Sequence, residues 1–449
     1  MANQSPSLKS LAETISQTAN ALAAKLEQDG FPAPSFAEDG LADYPKMPEL
    51  MGIRMTLLDA VADLQRLALG PMDSNFLVPI LVGDPGSLNY DATAIDILNQ
   101  FNFWDAIPLG GSATYAEIAT KVNLPESLVR RILKYATTNR IFAPAPGKPE
   151  SVVHTSISAA PAKNPLLRSW IRHNFEEARP GAVHMPESFR KFSAGKEHPS
   201  EEPAESGFST ANVDHLDKPE NFWDYMARDV EGKPKGWRAD EFAASMKAAA
   251  SASAIKVEDL LKTGYDWPKL GDVTVVDIGG SGGHDALVLT EAFPNLKKYV
   301  VQDLPEVEAS FTERIPEDKR NRIKFEPHDF FKPQETKGDV YILKTILHDW
   351  PDKYAAQILN HLVTHLESGS RLLLVEAIAP PDITQLPFNT LARMMGAADF
   401  QMLNAFNSLE RSIDDWKGLL AKVDERLEIT YTSLVPGSLH NFIEIQIRA

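Results

Sequence analysis

The stretch Val275-Val276-Asp277-Ile278-Gly279-Gly280-Ser281-Gly282-Gly283 constrains the fold of this chain more than any other. Its apolar, β-branched run over 273–278 reads as a buried strand. The glycines that follow let the backbone turn tightly and approach a ligand without Cβ clashes. A helix is expected next, over 285–293. Asp303 follows Gly283 by 20 residues, at the end of the next strand, where doubly wound sheets set a carboxylate against ribose hydroxyls. The G-x-G-x-x-G spacing fails, because counting on from Gly280 and Gly282 puts Asp285 where the third glycine belongs. No Gly-Lys-Ser/Thr follows either, so this is neither a dinucleotide fingerprint nor a P-loop. What remains is Asp-x-Gly-x-x-x-Gly, with Asp277 ending the strand. An acid there suits a cofactor bearing a cation rather than a pyrophosphate.

The alternation of strand and helix continues through strands at 299–302, 340–343 and 371–376 and a helix from Pro351 to Leu366. It predicts an α/β fold, a doubly wound, mostly parallel sheet covered on both faces. The end differs: 427–434 and 441–448 alternate as strands joined through Pro436-Gly437-Ser438, a terminal antiparallel hairpin. The first half of the chain is helical. Apolar residues at helical spacing run over 8–29, with Gly30 where the helix should stop, and over 49–69 after a proline-rich connector. Helices at 92–103, 115–122 and 125–139 then precede two short strands within 141–154, the outline of a winged helix. Residues 193–220 are polar, with Pro, Ser and Gly interspersed, and are expected to form a flexible insertion. Phe222, Trp223 and Tyr225 open helical material running toward Leu261. The expected organisation is an N-terminal helical segment (1–90), a winged-helix domain (91–220) and a catalytic domain (221–449).

Composition narrows the function. The 449 residues include 45 Lys+Arg against 62 Asp+Glu, a net charge of -17, and no cysteine. Disulfides, thiolate metal sites, iron–sulfur clusters and a cysteine nucleophile are thereby excluded. So acidic a chain is a poor partner for nucleic acid. The winged helix, despite Arg130, Arg131, Lys134 and Arg140 on or after its third helix, therefore reads as a packing or dimerisation module. The first residues lack the basic-then-apolar layout of a signal peptide. Apolar stretches such as 76–82 are too short to span a bilayer. A cytoplasmic, membrane-free protein is expected. His361 and His365 lie four apart, but no Glu follows His361 and no third ligand is apparent, so no metal is expected.

Further motifs carry a resemblance. His328-Asp329-Phe330-Phe331, Leu343-Lys344-Thr345-Ile346-Leu347-His348-Asp349-Trp350, Leu374-Val375-Glu376 and Leu409-Glu410-Arg411-Ser412 follow the glycine cluster in order. With it, the chain resembles class I S-adenosylmethionine-dependent methyltransferases. More narrowly, it resembles the plant and fungal small-molecule O-methyltransferases of the caffeate and polyketide type. That resemblance implies S-adenosyl-L-methionine as cofactor, held by Asp277, Gly279, Gly283, Asp303 with the adjacent Leu304, Asp329, Phe330 and Lys344. It also implies a homodimer built on the winged-helix region. It places the helix with Met395, Asp399 and Met402 along the acceptor pocket, and it makes Glu376 and Glu410 the residues that orient a catalytic histidine.

His348 also stands out by its own chemistry. It follows a strand and precedes a helix, hence at the carboxyl end of the sheet where open α/β folds bind ligands. A phenol of pKa ~10 is mostly protonated at neutral pH, and histidine is the natural base for it. The expectation is an O-methyltransferase acting on a phenolic or enolic small molecule of secondary metabolism, with His348 as general base. A fold relative that catalyses a pericyclic reaction or a dehydration without methyl transfer is the alternative.

Overall fold

A computed structural model describes residues 6–77, 89–212, 220–251, 255–367, 369–435, 438 and 440–448. The chain divides into two compact units. One comprises residues 1–179, 226–249 and 386–393, and the other 180–225, 250–385 and 394–449.

The first unit opens with two helices, Leu8–Gln28 and Pro48–Leu77. Ser7 caps the first in a reciprocal capping box with Ser10, satisfying backbone N–H groups the helix start leaves orphaned. The helices pack through Leu22, Leu26 and Leu50, joined by Phe31, Tyr44, Ile53 and Leu57. The second is interrupted at Gly70 (φ 69°), one residue past the predicted end. Of the apolar stretch 76–82, residues 78–82 lie outside the described residues. No helix among the described residues is long and apolar enough to cross a membrane.

The winged-helix outline is borne out, with one addition. Helices Asn89–Gln100, Tyr115–Val122 and Glu126–Thr138 surround a core of Leu98, Phe103, Trp104, Ile118, Val129, Leu133 and Phe142. The expected strand pair is β2 (Phe142–Pro144) and β3 (Ser151–His154), but β3 also pairs with β1 (Ser112–Thr114). Three residues are too few to show alternation, so the sequence left β1 unread. On the third helix, Arg130 pairs with Glu126 and Glu150 and lies over the Tyr115 ring. At the far end of this unit in sequence, the carboxylate of Asp59 accepts from the backbone N–H groups of Asn389 and Thr390 at 2.8 and 2.7 Å, capping the helix Asn389–Phe406.

The second unit is built on one sheet. Its strands are β4 (Val273–Ile278), β5 (Leu296–Asp303), β6 (Ile323–Pro327), β7 (Val340–Lys344), β8 (Arg371–Glu376), β9 (Leu427–Thr432) and β10 (Asn441–Ile447). The order is β6-β5-β4-β7-β8-β10-β9. Strands β4 to β8 run parallel, while β10 is antiparallel to both β8 and β9. The predicted doubly wound sheet with its closing antiparallel pair is thus the observed one. Pro436 and Gly437 of the predicted turn lie outside the described residues. Strand β6 went unpredicted: it is short, and only Ile323 and Phe325 interrupt its polar residues. Alternation along β4 sends Val275 into a core with Trp267, Leu289, Tyr299, Phe311 and Phe442, and Val276 into another with Tyr341, Leu359, Leu374, Trp416 and Ile443. The sheet is therefore buried on both faces, which the near-continuous apolar strands required.

The expectation of a flexible insertion at 193–220 needs correction. Residues Pro203–Glu205 form a turn and Gly207–Asn212 a helix, and Phe208 is 2% exposed, its ring edge-on to Phe222 and Tyr225. Ser209 Oγ donates to the Glu220 carbonyl at 2.7 Å. The Glu202 carboxylate accepts from Tyr354 and Lys353. A single well-placed aromatic anchors a polar segment that composition alone marks as unstructured; residues 213–219 of it lie outside the described residues. The helical material after Phe222 is likewise broken, into Phe222–Met226, Trp237–Ser251 and Val257–Thr263. Gly232 and Gly236, both with positive φ, fall in the first interruption.

Candidate active site

Parallel pairing sets the ends of neighbouring strands side by side. Ile278 pairs with Gln302 and Leu343, Asp303 with Pro327, and Lys344 with Val375. Asp277, Asp303, Lys344 and Glu376 therefore gather at the carboxyl edge of the sheet from four different strands.

The glycine cluster turns there as its composition demands. Gly279 adopts φ 73°, a left-handed conformation that costs a residue with a Cβ roughly 1–2 kcal/mol. A Cβ on Gly279 would also meet Ile346 Cδ1 at 2.6 Å, and one on Gly280 would meet the Asp277 carboxyl at 2.8 Å. Gly283 caps the helix His284–Ala292. Across the turn, Asp303 accepts from the backbone N–H of Ser281 and of Leu304, each at 2.8 Å. Leu304 itself is 46% exposed. Asp329 accepts from the N–H of Phe331 at 2.9 Å, and the Phe330 ring lies 6.1 Å from Trp350.

Two buried acids and one base form the heart of this half. Asp277 accepts from the Tyr299 hydroxyl at 3.1 Å, and Lys344 Nζ lies 3.0 Å from Asp285. Burial, then the nearby Asp285 charge, pushes Asp277 up to about 7. Burial alone would lower Lys344, but the Asp285 charge beside it and the hydrogen bond to it raise it instead. Burial also raises Asp303, although the two N–H donors oppose it. Asp285 was not expected here. Its signal in the sequence was the residue that spoiled the third glycine of a dinucleotide fingerprint.

The second half surrounds His348, which sits in a single turn, Leu347–Asp349, between β7 and the helix Asp352–Val363. That helix ends before His365, so His361 and His365 do not share a helical face. Entry to the turn is strained: Thr345, a β-branched residue, takes φ 52°, the kind of outlier that clusters at functional sites. His348 Nδ1 donates to Glu410 Oε1 at 3.3 Å, and Asp349 Oδ1 lies 3.5 Å from Nε2. Glu376, fully buried, does something different from what the resemblance implied. Its Oε1 accepts from the backbone N–H of Ile346 and Leu347 at 3.1 and 2.9 Å, so it grips the peptide before the histidine rather than the ring.

These charges set one another. Burial pulls His348 down, but Asp349, Glu376 and Glu410 outweigh it and raise the ring to about 10. Asp349 is pushed up by burial to about 7. Burial raises Glu376, whereas for Glu410 the His348 ring overcomes burial and holds the carboxyl below its usual range. With Nδ1–H committed to Glu410, the neutral form of His348 carries its lone pair on Nε2, beside Asp349, as a general base requires.

The expected pocket residues Met395, Asp399 and Met402 are half-buried on one face of Asn389–Phe406. Asp399 accepts the backbone N–H of Glu410 at 2.9 Å, a role beyond lining. Met394 and Phe400 of the same helix are 56% and 62% exposed. One further residue escaped the sequence reading. His440 precedes Asn441, the register partner of Glu376. It is held at about 4, first by burial and then by the positive His348 and Lys344.

Comparison with known proteins gives the family and the fold. A family model described as an O-methyltransferase domain matches residues 234–423. The O-methyltransferase lcsG of Purpureocillium lilacinum is 33% identical over 94% of this chain and 90% of its own. The fold is shared with the solved structures of LepI complexed with SAM and of a pericyclic reaction enzyme. Each has a TM-score of 0.68 and 19% identity, over 97% of this chain and 100% of theirs. A chain with this sheet and relatives of this similarity belongs to the S-adenosylmethionine-dependent O-methyltransferases.

Proposed function

We propose that this enzyme methylates a hydroxyl of a phenolic or enolic small molecule of secondary metabolism, with His348 as general base. The observation that carries the reading is the Nδ1–H bond from His348 to Glu410, which leaves Nε2 as proton acceptor. The residues fit the cofactor. Gly279 and Gly280 make a turn too tight for a Cβ, which would collide with Ile346 and the Asp277 carboxyl, and Asp277, Asp303 and Asp329 offer carboxylates to match a cation, a ribose and an amine. Phe330 offers a ring face and Leu304 an exposed apolar edge. Lys344, paired to Asp285, steadies the acidic side. The cofactor supplies an electrophilic methyl group on a sulfonium.

The work of the protein is then proton management and alignment. His348 Nε2 would take the proton of the acceptor hydroxyl, leaving its oxygen as the nucleophile toward the methyl group that a bound cofactor would supply. Glu410 stabilises the imidazolium so formed, and Glu376 holds the turn that carries it. Holding both reactants in line supplies a large part of the acceleration. Met395, Asp399 and Met402 border the acceptor. The winged-helix region serves dimerisation in a cytoplasmic protein. The test is His348→Ala: methyl transfer should fall about 100-fold or more while cofactor affinity by calorimetry persists. Undiminished turnover would remove the base assignment.

A second reading has its own support. A His348 raised to about 10 is an acid at neutral pH, suited to dehydration or to polarising a carbonyl in a pericyclic step. Formation of the demethylated cofactor in step with product separates the two: stoichiometric release supports methylation, and turnover without it supports the alternative.

A further inference from the structure

Arg411 is 1% exposed, and an ion so buried has a large desolvation cost unless its donors are well used. They are. Nη1 donates to the Leu347 carbonyl at 2.7 Å and Nη2 to the Trp350 carbonyl at 2.8 Å. Nε and Nη2 reach Asp352 Oδ1 at 3.1 and 3.0 Å, and the guanidinium lies 5.1 Å from the Trp416 ring centre. The two carbonyls bracket His348 and Asp349. Glu376 in turn holds the N–H groups of Ile346 and Leu347. The turn is thus gripped by a carboxylate through its donors and by a guanidinium through its acceptors.

Arg411 is itself fixed. Its carbonyl accepts from the Ala379 N–H at 3.0 Å, and Ser412 opens the next helix with a reciprocal capping box to Asp415. Immediately before it stands Glu410, whose carboxylate meets the His348 ring. One dipeptide therefore sets both the backbone of the histidine and the orientation of its imidazole. We infer that Arg411 is a positioning residue for His348, holding the Leu347–Trp350 turn so that Nδ1 stays on Glu410 and Nε2 faces the acceptor. Lysine cannot replace it, because a single ammonium has no planar fork to span two carbonyls three residues apart. The inference rests on His348 acting as the base.

The experiment compares Arg411→Lys with the wild-type enzyme in two measurements. Loss of alignment should lower kcat about 10–100-fold with the acceptor KM within about threefold. In the cofactor-free protein, NMR titration should show the His348 pKa moved down from about 10 by roughly one unit or more as the contact with Glu410 loosens. A lowered Tm with kcat and titration unchanged would overturn the inference and leave Arg411 a structural ion. If Arg411→Lys does not fold, Asp352→Ala removes the outer acceptor of the guanidinium without emptying the core. It should move kcat and titration in the same direction by a smaller factor, and wild-type values there overturn the inference equally. His348→Ala keeps the two ideas apart. Retained turnover in that variant sinks the base reading even if Arg411→Lys shifts the titration. Lost turnover there, with Arg411→Lys silent, sinks only the positioning role.

Discussion

Asp399 accepts the backbone N–H of Glu410 at 2.9 Å, tying the helix Asn389–Phe406 to the residue whose carboxylate meets His348. A side chain expected only to line the acceptor pocket is thereby coupled to the orientation of the histidine. Burial raises the Asp399 carboxyl despite this donor, so the bond forms at some expense and should matter.

Asp399→Ala should therefore cost about 1–2 kcal/mol of stability, the range for a half-buried donor left unpaired, and lower kcat about tenfold by freeing Glu410. Asp399→Asn, whose amide oxygen still accepts, should recover most of both. Steady-state kinetics and thermal melts of the two variants check this; equal damage in both would show that charge, not acceptance, is what counts.

The pH dependence has opposite signs for activity and stability. A base must be neutral, so kcat/KM should climb with pH, about tenfold per unit below the inflection. It should level at or below the value of about 10 at which His348 deprotonates in the ligand-free protein. A histidine raised above its ordinary 6.5 adds stability that is fully present below 6.5 and is lost as pH rises through 10. Tm should accordingly fall from pH 7 to 10 while activity rises. In His348→Ala, the alkaline rise in residual activity should vanish and the fall in Tm should shrink.

Asp277 presents a trade between stability and binding. Its carboxyl, raised to about 7 by burial and Asp285, contributes stability below pH 3.8 that is lost as pH climbs through 7. Asp277→Asn keeps an acceptor for Tyr299 and carries no charge. It should stabilise the ligand-free protein by about 1 kcal/mol or more at pH 8, one pKa unit being about 1.4 kcal/mol, and have little effect at pH 3. Cofactor affinity should fall in the same variant. Melts at the two pH values and calorimetry measure both sides.

Gly279→Ala should abolish cofactor binding before it abolishes folding. The left-handed φ of 73° costs alanine roughly 1–2 kcal/mol, and the new methyl group would collide with Ile346 next to the His348 turn. Equilibrium dialysis against cofactor, alongside a melt, is sufficient. A variant that binds normally would place the cofactor away from this turn.

Much of this was legible in the residues. The β-branched run before Gly279, the parallel strands and the closing antiparallel pair are recorded locally, because burial on both faces demands continuous apolar strands. The polar segment before Phe222 was misread for the converse reason: its order comes from Phe208 packing on rings that composition cannot see. Strands β1 and β6 were missed because three to five residues with few apolar members carry no usable period.

By itself, the sequence determined the type of sheet, the glycine turn and its acids, the places of His348 and Glu376 at the carboxyl ends of strands, and that of Glu410 ahead of a helix. Only the tertiary structure decided their division of labour: Glu410 on the ring, Glu376 on the peptide, Asp285 on Lys344, Arg411 on the turn. The physical reason is distance along the chain. Hydrogen-bond partners separated by 29 to 64 residues are chosen by strand order and by the direction each side chain leaves its element. Neither is written in the spacing of residues.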